Sequence, residues 1–203
     1  GNANASVECY QAALRFDPAS VEALLGLGSV LQAQSKADEA IGCYQKVLAI
    51  QPDHAEAYLS LGNLFQRQGA PQEAIGAYRK ALAINPRDAI AYNNLGNVLQ
   101  GLEEFGQAVE CYQQSLQLEP GAAATYNNLG TAFRSQGETG LAIDCYRKAI
   151  SLDGTYAEAY LNLGNVCKDR GEIDPAIRYY REALRLKPDY AEAHSNLSSA
   201  LLQ

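Results

Sequence analysis

Asn94, Asn128, Asn162 and Asn196 stand 34 residues apart, and Asn63, Asn97, Thr131 and Asn165 form a second series with the same spacing. A carboxamide carries an acceptor oxygen and a donor NH₂. It can bond both the C=O and the N–H of an extended peptide unit. Repeated along one face, such groups would hold a polypeptide backbone without demanding particular side chains. The pattern has a cost. In AYNNLGN, Ala91 to Asn97, two asparagines and a glycine surround one leucine. Inside a helix such residues together cost roughly 2 kcal/mol relative to alanine. Hydrogen bonds worth about 0.5–1.5 kcal/mol each, made to a ligand, would offset it.

No other constellation offers comparable chemistry. Cys9, Cys43, Cys111 and Cys145 recur at spacings of 34 or 68, and Cys167 stands apart. Zinc ligands come in close pairs, so this is no metal pattern. Equivalent positions of successive repeats lie roughly 8–10 Å or more apart, beyond disulfide reach of about 7 Å. Core packing as free thiols is expected, in a reducing, cytoplasmic compartment. The two histidines, His54 and His194, lack Cys, Asp or Glu neighbours at ligand spacing. No glycine-rich phosphate loop and no nucleophile–base pair can be assembled. The reading is a non-catalytic chain without metal or cofactor.

Composition narrows the partners. The 203 residues are 47% hydrophobic and 19% charged, with a net charge of −7. Such a chain folds. Without a basic stripe it suits no nucleic acid, and without a basic amphipathic face it suits no anionic membrane. No apolar run reaches the roughly 18 residues of a membrane span. The sequence contains no methionine, so a fragment of a longer protein is expected.

The elements that must position the asparagines follow from the period. Pro18, Pro52, Pro86, Pro120 and Pro188 share one phase, with Gly154 in the gap. Gly28, Gly62, Gly96, Gly130 and Gly164 share another, and Tyr10, Tyr44, Tyr78, Tyr112, Tyr146 and Tyr180 a third. Each unit holds two apolar-periodic segments of about 14 residues. Pro71 and Pro175 read as helix starts, with Asp174 as N-cap before Pro175. The phased prolines read as stops.

Tyr58, Leu61, Gly62, Phe65, Gly69, Ala74, Tyr78, Ala81 and Pro86 spell a unit that resembles the tetratricopeptide repeat (TPR) family, and the resemblance covers the whole chain. It implies an all-α, right-handed α-α superhelix of about twelve antiparallel helices. Full repeats are expected at 21–54, 55–88, 89–122, 123–156 and 157–190, with half repeats at 1–20 and 191–203. Departures are Glu103 in place of a turn glycine, and Leu24 and His194 in place of an aromatic residue.

Numbering each unit 1–34, positions 4, 7, 8 and 11 of the first helix fall within about 100° and form the packed face. Positions 2, 6, 9 and 13 fall within about 60° on the other side. Position 6 carries Gly26, Ser60, Asn94, Asn128, Asn162 and Asn196; position 9 carries Ser29, Asn63, Asn97, Thr131, Asn165 and Ser199. A face selected for solubility alone would use Glu, Lys, Gln and Arg. In TPR proteins the first helices line a concave groove, so the resemblance makes Asn63, Asn94, Asn97, Asn128, Thr131, Asn162, Asn165 and Asn196 peptide-binding. The Lys/Arg clamp of chaperone-tail-binding TPR proteins is absent: position 2 holds Glu22, Glu56, Ile90, Ala124, Glu158 and Glu192.

Two alternatives accompany this protein-interaction reading. AYNNLGN, CYRKAISL and AEAHSNL look like the TPR superhelix of protein O-linked N-acetylglucosamine transferases. In that family an asparagine ladder holds the substrate polypeptide. Asn94, Asn128, Asn162 and Asn196 match it and Gly26 and Ser60 do not; a catalytic region would lie downstream. The other alternative is a scaffold that self-associates through the cut repeat ends, where Leu197, Ser198 and Leu201 continue the packed-face pattern without a partner helix.

Overall fold

The computed structural model describes residues 2–202. Gly1 and Gln203, the outer limits of the two half repeats, lie outside them. Among the described residues there are twelve α-helices and no strand. In chain order they are α1 (Asn2–Phe16), α2 (Val21–Ala33), α3 (Ala37–Ile50), α4 (Ala55–Arg67), α5 (Pro71–Ile84) and α6 (Ala89–Gly101). There follow α7 (Phe105–Leu118), α8 (Ala123–Ser135), α9 (Thr139–Leu152), α10 (Ala157–Asp169), α11 (Ile173–Leu186) and α12 (Ala191–Leu201). The chain forms two compact units, residues 1–98 and 99–203, divided within α6. In the first unit α2 packs on α3 and α4 on α5; in the second, α8 packs on α9 and α10 on α11.

Local chemistry sets the helix ends. Pro71 opens α5 at its first position, where its missing N–H leaves no bond unmade. Ser20 caps α2 by accepting from the Ala23 N–H at 3.3 Å, and His54 Nδ1 caps α4 by accepting from Ala57 N–H at 3.3 Å. Asp88 Oδ1 accepts from the Ala91 N–H at 2.9 Å at the start of α6. Asp174 does not cap α11. That helix starts at Ile173 after Glu172, so Asp174 and Pro175 lie in its first turn. Pro175 is tolerated there because the first four N–H groups have no intrahelical acceptor.

In four of the repeats the core sets one aromatic ring against one glycine. A Cβ added to Gly62 would stand 2.5 Å from Cε1 of Tyr78, which is fully buried. Gly28 meets Tyr44, Gly130 meets Tyr146 and Gly164 meets Tyr180 in the same way. The packed face is wider than the helical wheel suggests. Position 10 residues Leu64, Ala132 and Val166 are buried, as are position 3 residues Ala57, Thr125 and Ala159. Leu24 leaves no defect in place of the aromatic residue; it is buried within the cluster of Leu27, Leu31 and Tyr44. His194 is exposed, with Nε2 2.9 Å from the Pro188 carbonyl. Cys43, Cys145 and Cys167 pack in the interior as expected, whereas Cys9 is exposed; none of the five cysteines is in a disulfide.

The turn between the two helices of a repeat takes a left-handed residue. Gly69, Gly137 and Gly171 supply it with φ of 71°, 82° and 74°. Ser35 and Glu103 occupy the same place with φ of 62° each. A side chain in that region costs about 1–2 kcal/mol. Ser35→Gly and Glu103→Gly are therefore expected to stabilise the protein by about 1 kcal/mol each. Thermal unfolding followed by circular dichroism should show a midpoint raised by about 2–4 °C per substitution; a lowered midpoint would show that these side chains make compensating contacts.

Candidate functional site

The asparagine series lie on the first helices, and the structure shows what holds their amides. In the first unit Asn94 Nδ2 donates to Asn63 Oδ1 at 2.9 Å. The same oxygen accepts from the Tyr78 hydroxyl at 2.8 Å, and that hydroxyl also lies 2.9 Å from Gln66 Oε1. In the second unit Asn196 Nδ2 donates to Asn165 Oδ1 at 2.8 Å, and the Tyr180 hydroxyl donates to that oxygen at 3.0 Å. The ring buried on the repeat glycine thus presents its hydroxyl to position 9, and position 9 receives the position 6 amide of the next repeat. We call this arrangement the clasp.

Thr131 tests the rule by breaking it. A hydroxyl replaces the carboxamide at position 9, accepting from the Tyr146 hydroxyl at 3.3 Å and donating to the Asn127 carbonyl at 3.1 Å. Asn162 turns instead to Asn127 Oδ1 at 2.9 Å. Asn127 is one of the few buried polar residues, and burial of a carboxamide requires such partners. Gly26 is explained as well: any side chain at that place would run into the ring of Tyr10.

The expected site residues are therefore paired within each unit: Asn63 with Asn94, Asn165 with Asn196, and Thr131 with Tyr146. Asn97 and Asn128 hold the same repeat positions and are half-buried. The helix penalty read from AYNNLGN is offset inside the protein, by hydrogen bonds between repeats, before any ligand arrives. Those bonds use one N–H of the Asn94, Asn162 and Asn196 amides, and the Asn94 oxygen also accepts a long bond from Asn93 Nδ2 at 3.4 Å. An NH₂ group has a second hydrogen, and each carbonyl oxygen can take two bonds. These amides are half-buried, held in fixed rotamers, and retain bonding capacity.

The face predicted from positions 2, 6, 9 and 13 is present in the first unit. Ser29, Ala33, Glu56, Ser60 and Arg67, all at those positions, line one cavity of about 390 Å³ between α2 and α4. The sequence reading missed the glutamines at position 12. Gln32 and Gln100 accept from Tyr44 and Tyr112 at 3.3 Å each, and Gln66 Oε1 lies 2.9 Å from the Tyr78 hydroxyl, sharing its one proton with Asn63 Oδ1. Their recurrence every 34 residues was the available signal. Among the described residues no group of three or more His, Cys, Asp or Glu could hold a metal ion. No helix among them is long and apolar enough to cross a membrane.

Comparison with known proteins decides the family. Residues 20–87 and 87–154 match the tetratricopeptide repeat family, and residues 164–203 match a TPR repeat. The chain belongs to the TPR family. No curated protein matches it. A crystal structure of MamA is similar at 30% identity, covering 82% of this TPR chain and 97% of its own, with a TM-score of 0.75. YrrB, described as a TPR protein with an unusual peptide-binding site, aligns at 21% identity, 93% and 97% coverage and a TM-score of 0.77. The Cut9-Hcn1 hetero-tetramer of APC/C aligns over 98% of this chain and 39% of its own, at 23% identity with a TM-score of 0.82. At these lower identities the likeness concerns the fold.

Burial of the repeat tyrosines has a consequence for pH. Burial raises the Tyr180 phenol to about 12, with Asp169 adding to the rise. Burial pushes Tyr78, Tyr112 and Tyr146 above the ordinary value of 10.0 as well. The folded TPR array thus binds these protons more tightly than the unfolded chain does. Their contribution to stability is complete below pH 10 and is lost as pH rises through the folded-state values. Helix ellipticity should stay level to about pH 10 and then fall together with phenolate absorbance at 295 nm. Normal titration of all thirteen tyrosines near pH 10 with helices intact would contradict the buried clasp.

Proposed function

We propose that this TPR chain is a protein-interaction module, without catalytic activity of its own, that binds an extended peptide segment on its first-helix faces. The observation that carries the reading is the state of the position 6 amides. Asn94 and Asn162 are oriented by the preceding repeat at 2.9 Å yet remain half-buried with bonding capacity to spare. A prepositioned carboxamide loses little freedom on binding a backbone, which favours affinity. The open cavity on the equivalent face of α2 and α4 supports the same reading, as does the peptide-binding site named for the similar fold of YrrB.

The ligand's side chains would contribute less than its backbone at the asparagine positions, because a carboxamide reads C=O and N–H groups that every residue shares. A random dodecapeptide display library panned on the protein should yield binders. A labelled binder should lose affinity about tenfold or more when Asn94, Asn128 and Asn162 are all replaced by alanine, roughly 1.4 kcal/mol or more. Circular dichroism at low temperature controls for folding. Unchanged affinity in a folded triple variant would reject the role of these amides.

A further inference from the structure

Among the described residues of the first unit, the junction between α2 and α4 lacks the asparagine pair of the clasp. Between α4 and α6, Asn63 and Asn94 close the gap at 2.9 Å. Between α2 and α4 the same two positions hold Ser29 and Ser60, and the cavity of about 390 Å³ stands there. Tyr44, lacking a position 9 carboxamide, donates to Gln32 Oε1 at 3.3 Å and also meets the Ser60 side chain, which leaves the Gln32 NH₂ as a donor at the cavity. Two side chains of opposite charge line the same space. Glu56 lies in the first turn of α4 and Arg67 in its last. Neither takes part in an ion pair among the described residues.

The helix dipole favours an acid at the start and a base at the end of α4. It gives no reason for the serine pair, or for both charges to border one cavity. We infer that this cavity is a side-chain pocket of the peptide site, and that it takes a segment carrying one basic and one acidic residue. The basic side chain faces Glu56. The acidic one is received by Arg67 with the Gln32 amide, and Ser29 and Ser60 bond the backbone or side chain between them. Glu56 and Arg67 are eleven residues apart on α4, about 16 Å of helix rise. An extended segment rises about 3.3 Å per residue, so the two ligand charges stand no more than about five residues apart. The pocket supplies sequence preference where the asparagines read only backbone, and it rests on the peptide-binding reading above.

The test pans the same dodecapeptide library on the wild-type protein and on the double variant Glu56→Arg/Arg67→Glu. Wild-type binders should share a basic and an acidic residue in one order within about five positions. The double variant should select the reversed order, and each labelled peptide should bind the mismatched protein about tenfold more weakly. Binders without a charge signature, bound equally by both proteins, would overturn the pocket while leaving peptide binding in place. No enrichment on either protein would overturn peptide binding and the pocket with it. Ser29→Asn/Ser60→Asn gives a second measure. Filling the cavity with the missing carboxamides should remove the charge preference and raise thermal stability; retention of the preference would count against the assignment.

Discussion

In four of the repeats a tyrosine ring lies where a glycine has no side chain, and the packing of those repeats depends on that contact. Were position 8 any other residue, its Cβ would stand 2.5–2.9 Å from the ring at Gly62, Gly28, Gly130 and Gly164. No real packing tolerates such approach, so the two helices of a repeat would have to part. The contact is apolar, yet its main consequence is polar. It delivers a phenol hydroxyl to a fixed point beside the first helix. A buried hydroxyl must be satisfied, and the residues that satisfy it at positions 9 and 12 become fixed in turn. From position 9 the chain of bonds runs to the next repeat. A steric constraint within one repeat thereby sets the rotamer of an amide in its neighbour.

This linkage changes what the asparagines are for. They join neighbouring repeats, and on the proposed peptide-binding reading the same bonds prepare the surface for a ligand. A carboxamide left to itself on a helix surface would sample several rotamers and lose that freedom on binding. Here the loss is taken during folding, when the neighbouring repeat captures one N–H. The same argument makes the Ser29/Ser60 junction informative. At this junction the clasp is omitted beside a cavity that Glu56 and Arg67 border. A TPR array that reads backbone throughout would have no need of such an interruption.

Much of this was legible in the sequence. The period, the twelve helices, the stops at Pro52, Pro86, Pro120 and Pro188, and the glycine on the packed face all follow from spacing alone. The angular grouping of positions 2, 6, 9 and 13 reappears as the lining of a real cavity. What escaped was the partner of each asparagine. A helical wheel describes one helix, whereas Asn94 bonds Asn63 across 31 residues. A carboxamide facing a ligand and one facing a neighbour are the same letter at the same position. Ser35 escaped because serine is common in turns and carries no mark of a left-handed backbone. Asp174 misled because an acid before proline is a good N-cap in isolation. The register of α11, set by the turn at Gly171 and by burial of Ala176 and Tyr180, starts the helix at Ile173 instead.

The central claim is that position 6 and position 9 act as one unit between repeats. A double-mutant cycle with Asn63→Ala, Asn94→Ala and the combined variant, measured by urea unfolding, tests it most directly. The account predicts a coupling energy of about 0.5–1.5 kcal/mol, because either substitution alone already removes the shared bond. Additive losses, with coupling within about 0.3 kcal/mol of zero, would show that the two amides do not depend on each other and would contradict the clasp.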